Sequence, residues 1–132
     1  MRRAVLDASA LILLFEDGSG GETVERLVAE SLARRTELFI SVVNWGEVYY
    51  STWKAYGPEA AWQTVAEISQ LPIQVVNADS ELTKSSAELR AQYGLPYADC
   101  FAAALSKKWN AELVTSDRDF IKVSSEIEVH FL

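Results

Sequence analysis

The 132-residue chain is poor in the residues that staple a fold or ligate through sulfur and nitrogen. It has one cysteine, Cys100, and one histidine, His130. A single cysteine excludes a disulfide framework and a thiolate zinc cluster, and no His/Cys spacing suggests zinc. Such cysteine usage fits a reducing compartment. With no activating neighbour in the sequence, Cys100 reads as a small core residue, and His130, near the end of the chain, reads as structural. No apolar run is long enough to cross a membrane. The opening "MRRAVLDAS" begins like a secretory signal. Its apolar segment is too short, Asp7 interrupts it, and no clean cleavage site follows. The expected location is the cytoplasm. Positive charge is also scarce: 12 Lys and Arg stand against 19 Asp and Glu, a formal net charge of −7. That argues against a module that simply coats nucleic acid. It leaves room for an enzyme that acts on nucleic acid with bound cations offsetting part of the charge.

What is present is an ordinary globular composition. Hydrophobic residues make up 49% and charged residues 23%, so a chain of this length can bury a core without staples. No repeat or long linker appears, and residues 1–132 are expected to form a single domain. "EDGSGGE", with Gly18, Gly20 and Gly21, is the clearest flexible loop. Strands are predicted at "RAVLD", "ELFISVV", "PIQVVN", "AELVT" and "EIEVHFL". Helices are predicted from about Ala8 to Phe15, over "ETVERLVAESLARR", from about Asn44 to Tyr56, and over "PEAAWQTVAEISQL", "DSELTKSSAELRAQYG" and "PYADCFAAALSKKWN". "DRDFIKV" reads as a short turn or helix. This alternation predicts an α/β fold of three layers, α/β/α, around a central, mostly parallel sheet of about five strands. In such sheets, sites form beyond the carboxyl ends of the strands, near the point where strand order reverses. Asp7 closes the first strand and Asp117 follows the fourth.

Four acids stand out: Asp7, Glu47, Asp99 and Asp117. Taken singly, each has a plain alternative. Asp7 and Asp117 could each cap the element that follows, as could Asp119. Glu47 belongs to a polar stripe, Asn44–Glu47–Ser51–Lys54, opposite an aromatic stripe that includes Trp45, Tyr49 and Trp53. That stripe is either a solvated face or one wall of an acidic cleft. In the second case the aromatics meet a neighbouring helix, a second subunit or a partner. Asp99 shares a face with Ala102 and Ala103, small residues that let its helix lie close to the sheet, and a carboxylate on a close-packed face needs a partner. Gathered at one edge, the acids would raise one another's pKa values. A hard divalent ion such as Mg²⁺ or Mn²⁺ suits an all-oxygen set and removes that penalty.

With "LDASAL", "NWGEVYY", "YADCFAAAL" and "LVTSDRDF" in this order and spacing, the chain resembles the PIN-domain ribonucleases, and among them the VapC-type toxins of toxin–antitoxin pairs. The likeness runs nearly the whole length. It implies a PIN-like nuclease domain and a metal-dependent endoribonuclease that hydrolyses RNA phosphodiester bonds with a metal-activated water. On that resemblance Asp7, Glu47, Asp99 and Asp117 carry the metal and the catalysis. Ser9, Thr115 and Asp119 support them. The resemblance further implies Mg²⁺ or Mn²⁺, a homodimer, an RNA substrate and a VapB-like antitoxin. The aromatic stripe would offer that antitoxin an apolar docking surface. Two rivals remain: a phosphatase or phosphotransferase using Asp7 as nucleophile, and a catalytically silent antitoxin-binding module.

Overall fold

The computed structural model describes residues 1–132. The strands are β1 (Arg2–Leu6), β2 (Thr36–Ser41), β3 (Ile73–Val76), β4 (Glu112–Thr115) and β5 (Val129–Phe131). The α-helices are α1 (Ala8–Glu16), α2 (Gly21–Leu32), α3 (Val42–Tyr56), α4 (Pro58–Ser69), α5 (Ser80–Tyr93) and α6 (Tyr97–Lys108), and a 3-10 helix spans Arg118–Val123. The strands join in one sheet of order β3-β2-β1-β4-β5 with every pair parallel.

Successive strand side chains point to opposite faces, and the two cores follow that alternation. Ala4 and Leu6 of β1, Leu38 and Ile40 of β2, and Val114 of β4 face one core, filled by Leu11 of α1, Val24 and Leu27 of α2, Val48 of α3 and Ile68 of α4. Val5, Phe39 and Leu113 face the other, filled by Leu82 and Leu89 of α5 and by α6. The expected three-layer α/β/α parallel architecture is therefore present. Its central strands are nearly continuous apolar runs because both faces are covered.

Helix α6 is the closest-packed element. Residues Cys100–Ser106 are all buried, and the alanines at 102–104 let the helix sit against β1, β2 and β4. Cys100 is a core residue whose thiol faces the Leu95 carbonyl at 3.6 Å. His130 is partly exposed, 4.0 Å from Glu112.

Several boundaries differ from the sequence reading by one to three residues, α2 among them in ending at Leu32 rather than Arg35, and two have a visible cause. "ELFISVV" was expected to be strand to its end, but β2 stops at Ser41. Its hydroxyl accepts the Val43 N–H at 3.2 Å and caps α3, so Val42 and Val43 are helical despite being β-branched. The cap outweighs their modest strand preference. "EIEVHFL" gives only the three-residue edge strand β5. Glu126 is drawn instead into a 2.5 Å ion pair with Lys107.

Strand order runs 3-2-1 to one side and 4-5 to the other, so it reverses between β1 and β4. The carboxyl ends of those two strands carry Asp7 and Thr115.

Candidate active site

Asp7 follows β1 and caps α1: its Oδ1 accepts the Ala10 N–H at 3.0 Å and the Ser9 hydroxyl at 2.7 Å. Oδ2 accepts the Thr115 hydroxyl at 2.5 Å. The two hydroxyls are oriented by the backbone after β4. Ser116 N–H donates to Ser9 Oγ at 3.0 Å, and Asp117 N–H donates to Thr115 Oγ1 at 2.9 Å. Each hydroxyl thus accepts from the backbone and donates to Asp7, and the two lie 3.2 Å from one another. Burial pushes the Asp7 carboxyl up, the three donors oppose that, and Asp117 adds repulsion. Capping and site roles coexist at Asp7.

Asp117 is partly buried and caps the 3-10 helix, its Oδ1 accepting from Asp119 N–H at 2.9 Å. Asp119 is exposed. Glu47, on α3, is half-buried. Loss of hydration raises its pKa most, the Asn44 amide lowers it, and Asp7 raises it. Asp99, in the first turn of α6, feels the whole group. It is pushed up to about 7, first by burial and then by Asp117, Glu47, Asp7 and Asp119. Acids as distant in sequence as Asp7 and Asp119 thus share one electrostatic field at the reversal point. No lysine or arginine pairs with any of them.

The polar stripe of α3 is not a uniformly solvated face. Asn44 is fully buried. Its Nδ2 donates to Glu47 Oε1 at 2.8 Å and to the Ala98 carbonyl at 3.1 Å, while its Oδ1 is buried without a donor. Sequence reasoning placed Asn44 on the stripe but not in the site. The available signal was its position one turn before Glu47. The aromatic stripe reaches the core only at Trp45, which is half-buried and packs against its edge. Trp45 and Tyr49 stack with ring centres 5.9 Å apart, Tyr49 and Trp53 meet tilted at 6.0 Å, and Trp53 meets Trp62 of α4 edge-on at 6.3 Å. Tyr50, Trp53, Tyr56 and Trp62 are exposed.

The PIN domain family model matches residues 4–126. The chain belongs to the PIN domain family. This PIN domain is similar in fold to DNA-bound VapBC from Salmonella typhimurium, with TM-score 0.78 and 18% identity over 98% of each chain. It is also similar to VapBC2 from Rickettsia felis bound to a promoter DNA fragment, with TM-score 0.76 and 18% identity over 97% of each chain. A third likeness is to the sarcin–ricin loop cleaving toxin VapC20 of Mycobacterium tuberculosis, with TM-score 0.71 and 16% identity, covering 94% of this chain and 95% of that one. No curated protein matches the sequence.

A PIN domain implies a divalent cation, and the donor chemistry at this edge fits one. The donors are all oxygens, their excess negative charge has no protein counter-ion, and burial makes that excess costly. The spacing is open: no three of the acids stand as a closed ligand set. None of the five main cavities is lined by Asp7, Glu47, Asp99 or Asp117. No helix of the chain is long and apolar enough to cross a membrane.

Proposed function

We propose that the protein is a Mg²⁺- or Mn²⁺-dependent endoribonuclease, the toxin of a VapBC-type pair, folded as a single domain over residues 1–132. The observation that carries this is the shared field of Asp7, Glu47, Asp99, Asp117 and Asp119 at the β1/β4 reversal point, with no cation of the protein to balance it. A bound divalent ion supplies positive charge for the phosphoryl oxygens and makes a water more acidic. Asp7, Glu47, Asp99 and Asp117 hold the ion. Asp7 is the rigid member, fixed by Ala10, Ser9 and Thr115. Asp99 gains from a cation, since burial and its acidic neighbours oppose its ionisation. Ser9 and Thr115 set the Asp7 carboxylate and the loop bearing Asp117 in one frame. Asp119, exposed at the rim, adds to the field.

Two observations weigh against a phosphatase with Asp7 as nucleophile. Asp7 is only 4% exposed, with three donors on its two oxygens, and an attacking carboxylate needs a free, accessible oxygen. The acids also line no main cavity, which suits a polymer better than a small phosphate ester. A silent binding module would have no use for an uncompensated acid cluster.

The partner in this reading is a VapB-like antitoxin, in keeping with the VapBC complexes of like fold. Its apolar segment docks in the groove between α1, α3 and α4, lined by Ile12, Phe15, Val48 and Tyr56 and edged by Glu16 and Glu67. The acidic edge calls for basic residues on that segment. The toxin acts as a cytoplasmic homodimer.

The decisive experiment is incubation of the antitoxin-free protein with total cellular RNA, with and without Mn²⁺, and mapping of the cut ends by sequencing. Discrete metal-dependent cuts, absent with Asp99→Asn, are expected. Equal cutting by Asp99→Asn, or none with any divalent ion, defeats the proposal.

A further inference from the structure

Asn44 and Val48 are the two fully buried residues of α3, and Asn44 is the only polar one. An amide has two protons to give and one oxygen to satisfy. Both protons are used: one holds Glu47 Oε1 at 2.8 Å, the other the carbonyl of Ala98 at 3.1 Å. Ala98 directly precedes Asp99 on α6. The oxygen receives nothing. A buried acceptor without a donor destabilises a fold, so stability alone would favour an apolar residue of this size. Glu47 has no other hydrogen-bond donor and no basic partner. It also stands in the repulsive field of Asp7. Without the amide, a half-buried glutamate with free torsions would turn away from the other acids toward water.

We infer that Asn44 is a positioning residue, whose one amide group holds the Glu47 carboxylate of α3 against the Asp99 turn of α6 and so presets the oxygen site for a divalent cation. The two protons do different jobs. The one on Glu47 fixes the carboxylate rotamer, and the one on Ala98 fixes the distance between the helices that carry the two acids. The inference rests on the metal-dependent reading above. Groups that orient a metal's ligands typically change its affinity by about ten-fold or more when removed.

The test uses Mn²⁺ alone, without RNA, on the full chain. Binding is followed by loss of the free-ion electron paramagnetic resonance signal, and folding by circular dichroism and melting. Asn44→Leu is expected to fold and to bind Mn²⁺ about ten-fold more weakly than the wild type. In a Glu47→Ala background the same substitution should weaken binding by clearly less than it does in the wild type, since the part of its effect carried by the Glu47 bond is already gone. Wild-type affinity in Asn44→Leu overturns the inference. So does an equal additional loss in the Glu47→Ala background. If Asn44→Leu does not fold, Asn44→Ser takes its place, and collapse of both makes the residue structural and overturns the inference as well. If the wild type itself binds no Mn²⁺ and cuts no RNA, the metal-dependent reading falls. If it does both and the Asn44 variants match it, only this inference falls.

Discussion

Replacing Asp99 by Asn should stabilise the metal-free protein near neutral pH while destroying its activity. Asp99 is pushed up to about 7 in the folded chain, by burial and by four neighbouring acids, from an ordinary 3.8. A carboxyl with a raised folded pKa makes the folded state bind more protons than the unfolded one. Stability is then highest below the unfolded pKa and falls as pH rises through the folded value, here from about pH 4 to a little above pH 7. The full shift corresponds to about 4 kcal/mol at roughly 1.4 kcal/mol per unit. Asp99 is only half-buried, so solvent screening reduces the expected loss to roughly 2 kcal/mol. Urea denaturation in the presence of a chelator, at about pH 4 and about pH 8, measures the difference between wild type and Asp99→Asn. The variant should be more stable by about that amount at the higher pH and indistinguishable at the lower one. Adding Mn²⁺ should stabilise the wild type and not the variant. Equal stability of the two proteins at both pH values, or a less stable variant at about pH 8, would refute the claim that these acids crowd one another.

Thr115→Val removes a donor to the buried Asp7 carboxylate and the acceptor of Asp117 N–H. It should lower stability by about 1–3 kcal/mol in denaturant titration and cut RNA cleavage sharply. Gly21→Ala would bring a Cβ within 2.8 Å of the Leu13 carbonyl. Backbone must shift to admit it, for an expected loss of about 1–3 kcal/mol, read as a lowered melting temperature. Tyr56→Asp places a charge in the groove proposed for the antitoxin. It should weaken antitoxin binding about ten-fold or more in calorimetry while leaving RNA cleavage by the free protein intact.

Much of this fold could be read along the chain because both faces of its sheet are covered. Continuous apolar strands then alternate with amphipathic helices, and that alternation admits little besides a parallel sheet. Punctuation was legible where one residue settles it: Gly94, left-handed at φ 71°, ends α5, and Pro58 starts α4. Where a side chain two residues away decides, as with the Ser41 cap on α3, local propensity misplaced the boundary. Of the candidate site, Asp7 was legible because it follows directly on a strand, and Asp117 because it lies two residues beyond one. Glu47 and Asp99 sit on helices, where a solvated acid and a buried one look alike in sequence. Asn44 shows the limit: one turn before Glu47 it reads as a surface amide, and only the approach of α6 buries it.

The sequence by itself determined the layering, the parallel sheet and the oxygen-rich, sulfur-poor chemistry available, because periodicity and composition are local properties. Tertiary structure alone decided that strand order reverses between β1 and β4 and that Asp99, half-buried in the first turn of α6, feels the four other acids of the candidate site. It also decided that one amide ties α3 to α6. Those facts depend on which distant segments touch, and electrostatic repulsion and hydrogen bonding act through space rather than along the chain.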